Sequence, residues 1–155
     1  MTVRRLRPDE TALFKTLRLR ALADAPGAFA HTHAEIPAKP DSYWQEMTRS
    51  VTETDRHVMF VAEESGTPIG MAFGTLDPER AEVPHLGGMW VDPTARARGI
   101  GRARGCGFGR IALWVTEGNE PAIALYQRMG FAATGRRDRL PANPALGVVE
   151  MERTL

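Results

Sequence analysis

Val91-Asp92-Pro93-Thr94-Ala95-Arg96-Ala97-Arg98-Gly99-Ile100-Gly101 decides how this chain is read. The stretch begins as a strand end, passes a proline-punctuated turn and becomes an arginine- and glycine-rich loop opening into a helical start. Backbone N–H groups at such a junction point into one concavity, and a helix N-terminus adds partial positive charge. Gly99 and Gly101 carry no Cβ, so a ligand can approach the backbone closely. Arg96 and Arg98 add fork-shaped cationic donors suited to phosphate oxygens. Together these features describe a cradle for a pyrophosphate.

Several patterns compete for that stretch, beside the plainer reading of a glycine-rich surface turn. A P-loop requires a lysine after its second glycine, and none stands here; a dinucleotide-binding G-x-G-x-x-G requires glycine at 104, where Arg104 stands. A coenzyme A pattern, R-x-x-G-x-G, is met by Arg96, Gly99 and Gly101.

A second block follows: Asn119-Glu120-Pro121-Ala122-Ile123-Ala124-Leu125-Tyr126-Gln127-Arg128-Met129-Gly130-Phe131. Asn119 suits a helix cap, Pro121 suits a first turn, and Gly130 suits a helix end. Ala122, Tyr126 and Met129 share one face at helical spacing. Taken alone, Tyr126 reads as a core tyrosine on an amphipathic helix.

In succession the two blocks read V-x-P-x-x-R-x-R-G-x-G, a strand over Ile111 to Thr116, then N-x-x-A-x-x-L-Y-x-x-x-G-F. This resembles the GNAT family of N-acetyltransferases, and the resemblance covers Val3 to about Leu155. It implies an α+β fold: a mixed, mostly antiparallel central sheet flanked by helices. It also implies acetyl transfer from acetyl-CoA, as co-substrate, to a primary amine of a small molecule or a peptide N-terminus, by direct attack on the thioester. Met89, Trp90 and Val91 would pair their backbone with the pantetheine arm. Arg96, Arg98, Gly99, Ile100 and Gly101 would cradle the pyrophosphate, Asn119 would contact the coenzyme, and Tyr126 would protonate the departing thiolate.

The chemistry supports those roles separately. Amine attack on a thioester creates an oxyanion that a backbone N–H can stabilise. The sulfur leaves as a thiolate, which a phenol within reach can protonate. The amine must arrive neutral, so a base is needed, acting directly or through water. Glu82 and His85, beside the coenzyme strand, are the candidates; a solvated strand-edge charge and a half-buried polar residue are their plainer readings.

One segment departs from the family pattern. Only the eleven residues Arg102 to Ala112 separate Gly101 from Leu113-Trp114-Val115. Glycines 105, 107 and 109 fall among them, and each costs a helix interior roughly 1 kcal/mol relative to alanine. A six-residue strand spans about 20 Å, which a helix needs roughly thirteen residues to match. The expectation is therefore a shortened helix after the pyrophosphate loop. An uncovered apolar patch could then receive another chain, a homodimer included. It also motivates a second reading, a coenzyme-binding sensor or degraded copy that transfers acetyl poorly or not at all.

Length and composition agree with one domain over residues 1–155. The chain is 43% hydrophobic and 25% charged, with a formal net charge of +1. That balance gives no case for a nucleic-acid partner. Arg96, Arg98, Arg102, Arg104 and Arg110 follow one another without an intervening acid, but only Phe108 interleaves as a stacking aromatic. Cys106 is the sole cysteine, which excludes an internal disulfide, and no base is identified beside it for a nucleophilic role. His31 and His33 form an H-x-H pair without a third ligand, so no metal is expected. No apolar run reaches membrane-span length and no signal core follows Met1, so the expectation is a cytoplasmic protein with no membrane partner.

Punctuation and periodicity place the remaining elements. Strands are expected over Thr2 to Arg7, His57 to Glu63, Pro68 to Leu76, Leu86 to Val91, Ile111 to Thr116, Phe131 to Arg137 and Val148 to Arg153. Helices are expected over Glu10 to Ala25, capped by Asp9, and over Ser42 to Val51. Glu64-Ser65-Gly66-Thr67 reads as a hairpin turn and Gly87-Gly88 as a bulge. The resemblance places the acceptor between Ala25 to Trp44 and Arg139 to Gly147. There Phe29, Tyr43 and Trp44 would form an apolar wall or else pack in the core.

Overall fold

A computed structural model describes residues 2–25, 36–76, 80, 82–96, 109–140 and 143–155. Its elements run β1 (Thr2–Arg5), α1 (Thr11–Asp24), α2 (Asp41–Thr52), β2 (His57–Glu64), β3 (Thr67–Leu76), β4 (Pro84–Val91), a 3-10 turn (Pro93–Ala95), β5 (Arg110–Thr116), α3 (Glu120–Arg128), β6 (Ala132–Leu140) and β7 (Asn143–Thr154). The strands are hydrogen-bonded in the order β1-β2-β3-β4-β5-β7-β6. The pairs β1–β2, β5–β7 and β6–β7 are antiparallel, and β4–β5 is parallel. This is the α+β fold with a mixed, mostly antiparallel sheet that the sequence predicts.

The chain divides into two compact units, Met1–Gly74 with Gly88–Ala103, and Thr75–Gly87 with Arg104–Leu155. In the first, α1 presents Phe14, Leu17, Ala21 and Leu22 as a buried stripe, and α2 presents Trp44, Thr48 and Val51. These pack with Leu6, Met59, Val61, Met71 and Trp90 into one core. Trp44 is 1% exposed and meets Phe14 and Tyr43 edge-on, with ring centroids 5.8 and 5.4 Å away. It is therefore a core residue rather than part of an acceptor wall. Phe29 lies outside the described residues.

The second unit buries Val83, Ile111, Leu113, Val115, Phe131, Val148 and Met151. Here β4 meets β5 at His85–Ala112 and Leu86–Leu113. Parallel neighbours need a crossover connection, and most of this one, with Arg98, Gly99, Ile100, Gly101, Cys106 and the expected shortened helix, lies outside the described residues. The His31/His33 pair does too.

Several local expectations are corrected. Asp9 does not cap α1; Glu10 stands at the N-cap without a side-chain cap bond. The Glu10 carboxylate is instead taken by Arg4 and Arg7, with contacts of 2.7 to 2.9 Å. β1 ends at Arg5, and beyond it Leu6 turns into the core while its N–H still reaches Met59 O at 2.8 Å. β6 and β7 run to Leu140 and from Asn143, so the expected Arg139 to Gly147 loop is mostly strand. Gly88 has φ +53°, and a Cβ there would stand 2.6 Å from the Phe73 ring. Only glycine suits that position.

Candidate active site

The second motif block folds into a tight device around Tyr126. The Asn119 side chain caps α3 by accepting from Ala122 N–H at 3.3 Å, and Pro121 occupies the first turn. At the other end Gly130 takes φ +86°. Gly130 N–H donates to Gln127 O at 2.9 Å and Phe131 N–H to Tyr126 O at 3.0 Å. These two bonds form a Schellman motif, and the accompanying apolar contact is Phe131 against Tyr126, with centroids 5.9 Å apart. L-Y-x-x-x-G-F is thus a helix end written in sequence. Burial pushes the Tyr126 phenol above its ordinary pKa of 10.0, so it stays protonated at neutral pH and able to donate.

The end of β4 and the start of the loop that follows it are organised separately. Asp92 Oδ1 accepts from Thr94 N–H at 2.9 Å and from its hydroxyl at 2.5 Å, which together with Pro93 starts the 3-10 turn. Hydrogen bonds from Thr94, with Arg20 and Arg96 adding their charge against the effect of burial, hold the Asp92 carboxyl below its ordinary range. Arg96 Nε donates to Val91 O at 3.0 Å, and its Nη2 reaches the Asp24 carboxylate. Asp24 also accepts from Trp90 Nε1 at 2.9 Å. Arg20 bonds Asp92 and lies 5.2 Å from the Trp90 ring centroid. Trp90 therefore points its side chain into the core, and Arg96 is folded against the strand it follows.

The two base candidates differ sharply. Glu82 is exposed and meets only Arg110 among the described residues, at 3.9 Å. His85 Nε2 lies 2.8 Å from Glu150 Oε1, and its ring stacks on Trp114 at 6.2 Å with an interplanar angle of 12°. No group of three or more metal-ligating side chains occurs among the described residues, and none of the described helices is long and apolar enough to cross a membrane.

The family model described as Acetyltransferase (GNAT) family matches residues 19–131. The chain belongs to the GNAT acetyltransferase family. Among curated GNAT relatives, the mycothiol acetyltransferase of Thermomonospora curvata is 31% identical over 142 residues, covering 84% of this chain and 44% of its own length. N-alpha-acetyltransferase RimI of Mycobacterium tuberculosis is 37% identical over 91 residues, 50% of this chain and 54% of that protein. The chain spans about half the length of these relatives. In fold, a ribosomal-protein-alanine N-acetyltransferase from Brucella melitensis superposes with a TM-score of 0.70 at 19% identity, covering 100% of both chains. The acetyl-CoA complex of yncA from Salmonella typhimurium gives 0.69 at 18% identity, with 100% of this GNAT chain and 94% of that one covered.

Sequence reasoning missed Asp24, Arg20 and Glu150. Asp24 and Arg20 sit on α1, far in sequence from the strand end they brace, so no local pattern links them to Arg96. Glu150 left a faint trace: it alternates with Val148 on the inward face of β7, a position that ordinarily takes an apolar residue.

Proposed function

We propose that this chain is a single acetyltransferase domain that moves an acetyl group from acetyl-CoA to a primary amine by direct attack on the thioester. The observation that carries the reading is Tyr126, a half-buried, protonated phenol locked at the end of α3 by Gly130 and Phe131. In this reading the amine nitrogen attacks the thioester carbon and the C–S bond breaks. The sulfur leaves with the electron pair and takes the Tyr126 proton, and the proton that the nitrogen sheds on becoming an amide restores the phenol by way of solvent. The backbone of Met89, Trp90 and Val91 lies along the pantetheine arm. Arg96, Arg98, Gly99, Ile100 and Gly101 hold the pyrophosphate, Arg96 exchanging Asp24 for phosphate oxygens, and Asn119 contacts the coenzyme while capping α3. His85 is the favoured base, because it is held by defined partners, and Glu82 is the second choice.

The relatives are named as a mycothiol acetyltransferase, an N-alpha-acetyltransferase and a ribosomal-protein-alanine N-acetyltransferase. These names support a reading in which the acceptor amine is carried by a small molecule or a peptide N-terminus. A cytoplasmic location belongs to the same reading.

Thermal unfolding with and without acetyl-CoA tests coenzyme binding. A ligand bound only by the folded state adds about 2.7 kcal/mol at a hundredfold excess over Kd, which raises the midpoint by a few degrees. Acetyl-CoA is expected to give that rise, and S-acetylpantetheine, which lacks the pyrophosphate, is expected to give far less. Equal shifts from the two ligands would remove the pyrophosphate role of the loop, and no shift from either would remove the coenzyme.

A further inference from the structure

Glu150 is 0% exposed, yet it carries a carboxylate, and every partner the structure gives it is polar. Oε1 lies 2.8 Å from His85 Nε2 and accepts from Arg80 Nη1 at 2.8 Å and Arg136 Nη1 at 2.9 Å. Oε2 accepts from the Thr134 hydroxyl at 2.8 Å. Arg80 continues to Glu152 at 3.0 Å, and Glu152 to Arg110 at 3.2 Å. Arg110 then faces Glu82. Trp114 stacks on His85 and also holds the Arg136 guanidinium 5.7 Å from its ring centroid. Four strands or their flanks therefore converge on one acid: β7 carries it, the start of β4 brings Arg80 and His85, β5 brings Trp114, and β6 brings Thr134 and Arg136.

An isolated buried carboxylate is expensive, and one surrounded by donors is held ionised. Burial pushes the Glu150 carboxyl up, but hydrogen bonds from His85, Thr134 and Arg80, with the charge of Arg80, outweigh it and hold it below its ordinary range. An ionised carboxylate only accepts. The 2.8 Å contact therefore requires His85 Nε2 to carry a hydrogen, and in neutral histidine that leaves the lone pair on Nδ1. Stacking on Trp114 fixes the ring plane.

We propose that Glu150 is a positioning residue that fixes the tautomer and orientation of His85, so that Nδ1 receives the proton removed from the acceptor amine. The inference rests on the reading of His85 as the general base. The proton leaves the acceptor's ammonium nitrogen for Nδ1, directly or through one water. A free amine and an imidazolium result, the latter held against the Glu150 carboxylate. Orienting carboxylates act on catalytic histidines in this way elsewhere.

Two measurements test it. Nitrogen-15 spectra of the histidine rings distinguish the tautomers, and His85→Gln identifies the His85 signals among the four histidines. The wild-type protein is expected to show His85 hydrogenated at Nε2; a ring hydrogenated at Nδ1 would overturn the proposal with no further variant, so it stays testable even if Glu150→Gln folds poorly. In folded Glu150→Gln, whose amide can either donate or accept, the tautomers should mix. There kcat should fall by on the order of tenfold or more, and KM for acetyl-CoA should hold within about twofold. A merely structural role would leave the tautomer unmoved, and that result would sink it. If His85→Gln turns over normally, the base reading itself fails. If His85→Gln is slow while Glu150→Gln is unchanged, only the role of Glu150 fails.

Discussion

Tyr126 illustrates how a residue's role is set by its neighbours rather than its type. Its backbone carbonyl accepts from Phe131 N–H, its ring rests on Phe131, and burial keeps its hydroxyl protonated. Tyr126→Phe keeps the ring packing and removes the hydroxyl that carries the proton. We expect kcat to drop by about 10²-fold or more, with acetyl-CoA affinity within about twofold of wild type by calorimetry. Equal turnover in the two proteins would take the acid role away from Tyr126. Gly88 is a different case, because its backbone at φ +53° and its closeness to Phe73 exclude a side chain. Gly88→Ala should destabilise by roughly 1–3 kcal/mol in denaturant unfolding. The sequence showed Tyr126, Gly88 and Asn119 because each sits in a local pattern. It hid Glu150 and Asp24, whose partners come from strands and helices distant along the chain.

At the scale of elements, α3 shows how closely a motif can record a structure. Asn119, Pro121, Gly130 and Phe131 each occupy the position their chemistry suits, and the expected helix matches the observed one. Asn119→Ala should cost about 1 kcal/mol in chemical denaturation. Asn119→Asp, which preserves the accepting oxygen, should restore most of that stability. A loss of the same size in both variants would mean that capping is not what Asn119 contributes. The strands were less legible at their ends. β6 and β7 extend beyond the predicted limits because pairing between them carries the ladder through polar and proline-bearing sequence that propensity alone assigns to a loop. α1 starts one residue later than expected, with Glu10 at the N-cap position and its carboxylate held by Arg4 and Arg7 instead of capping.

For the whole molecule, the seven strands were legible because alternation and turn chemistry mark strands well, while the mixed sheet was what the family resemblance implied; the parallel β4–β5 pair joins residues distant along the chain and carries no local signal. The division into two compact units was not legible, because no linker composition accompanies it. Each unit contains a carboxylate held below its ordinary 4.5: Glu10 chiefly by its bond from Arg4, and Glu150 by its donors against the effect of burial. A depressed carboxyl pKa contributes stability that is full above the unfolded value and is lost as pH falls through the folded one. His57 is held below its ordinary 6.5 by burial, so protonating it also opposes folding as pH drops. The unfolding midpoint should therefore begin to fall below about pH 6.5 and fall more steeply below about pH 4.5. Glu10→Gln should flatten the lower part of that curve; an unchanged slope would contradict the Arg4–Glu10 account.

Transfer itself bears on the central claim most directly. With acetyl-labelled acetyl-CoA and a panel of small amines, amino acids and peptide N-termini, we expect label to appear on at least one amine, in step with release of free coenzyme A thiol, and to slow about 10²-fold or more in Tyr126→Phe. A protein that binds acetyl-CoA yet transfers label to no class of amine would contradict the account, and would leave a coenzyme-binding member of the family without its chemistry.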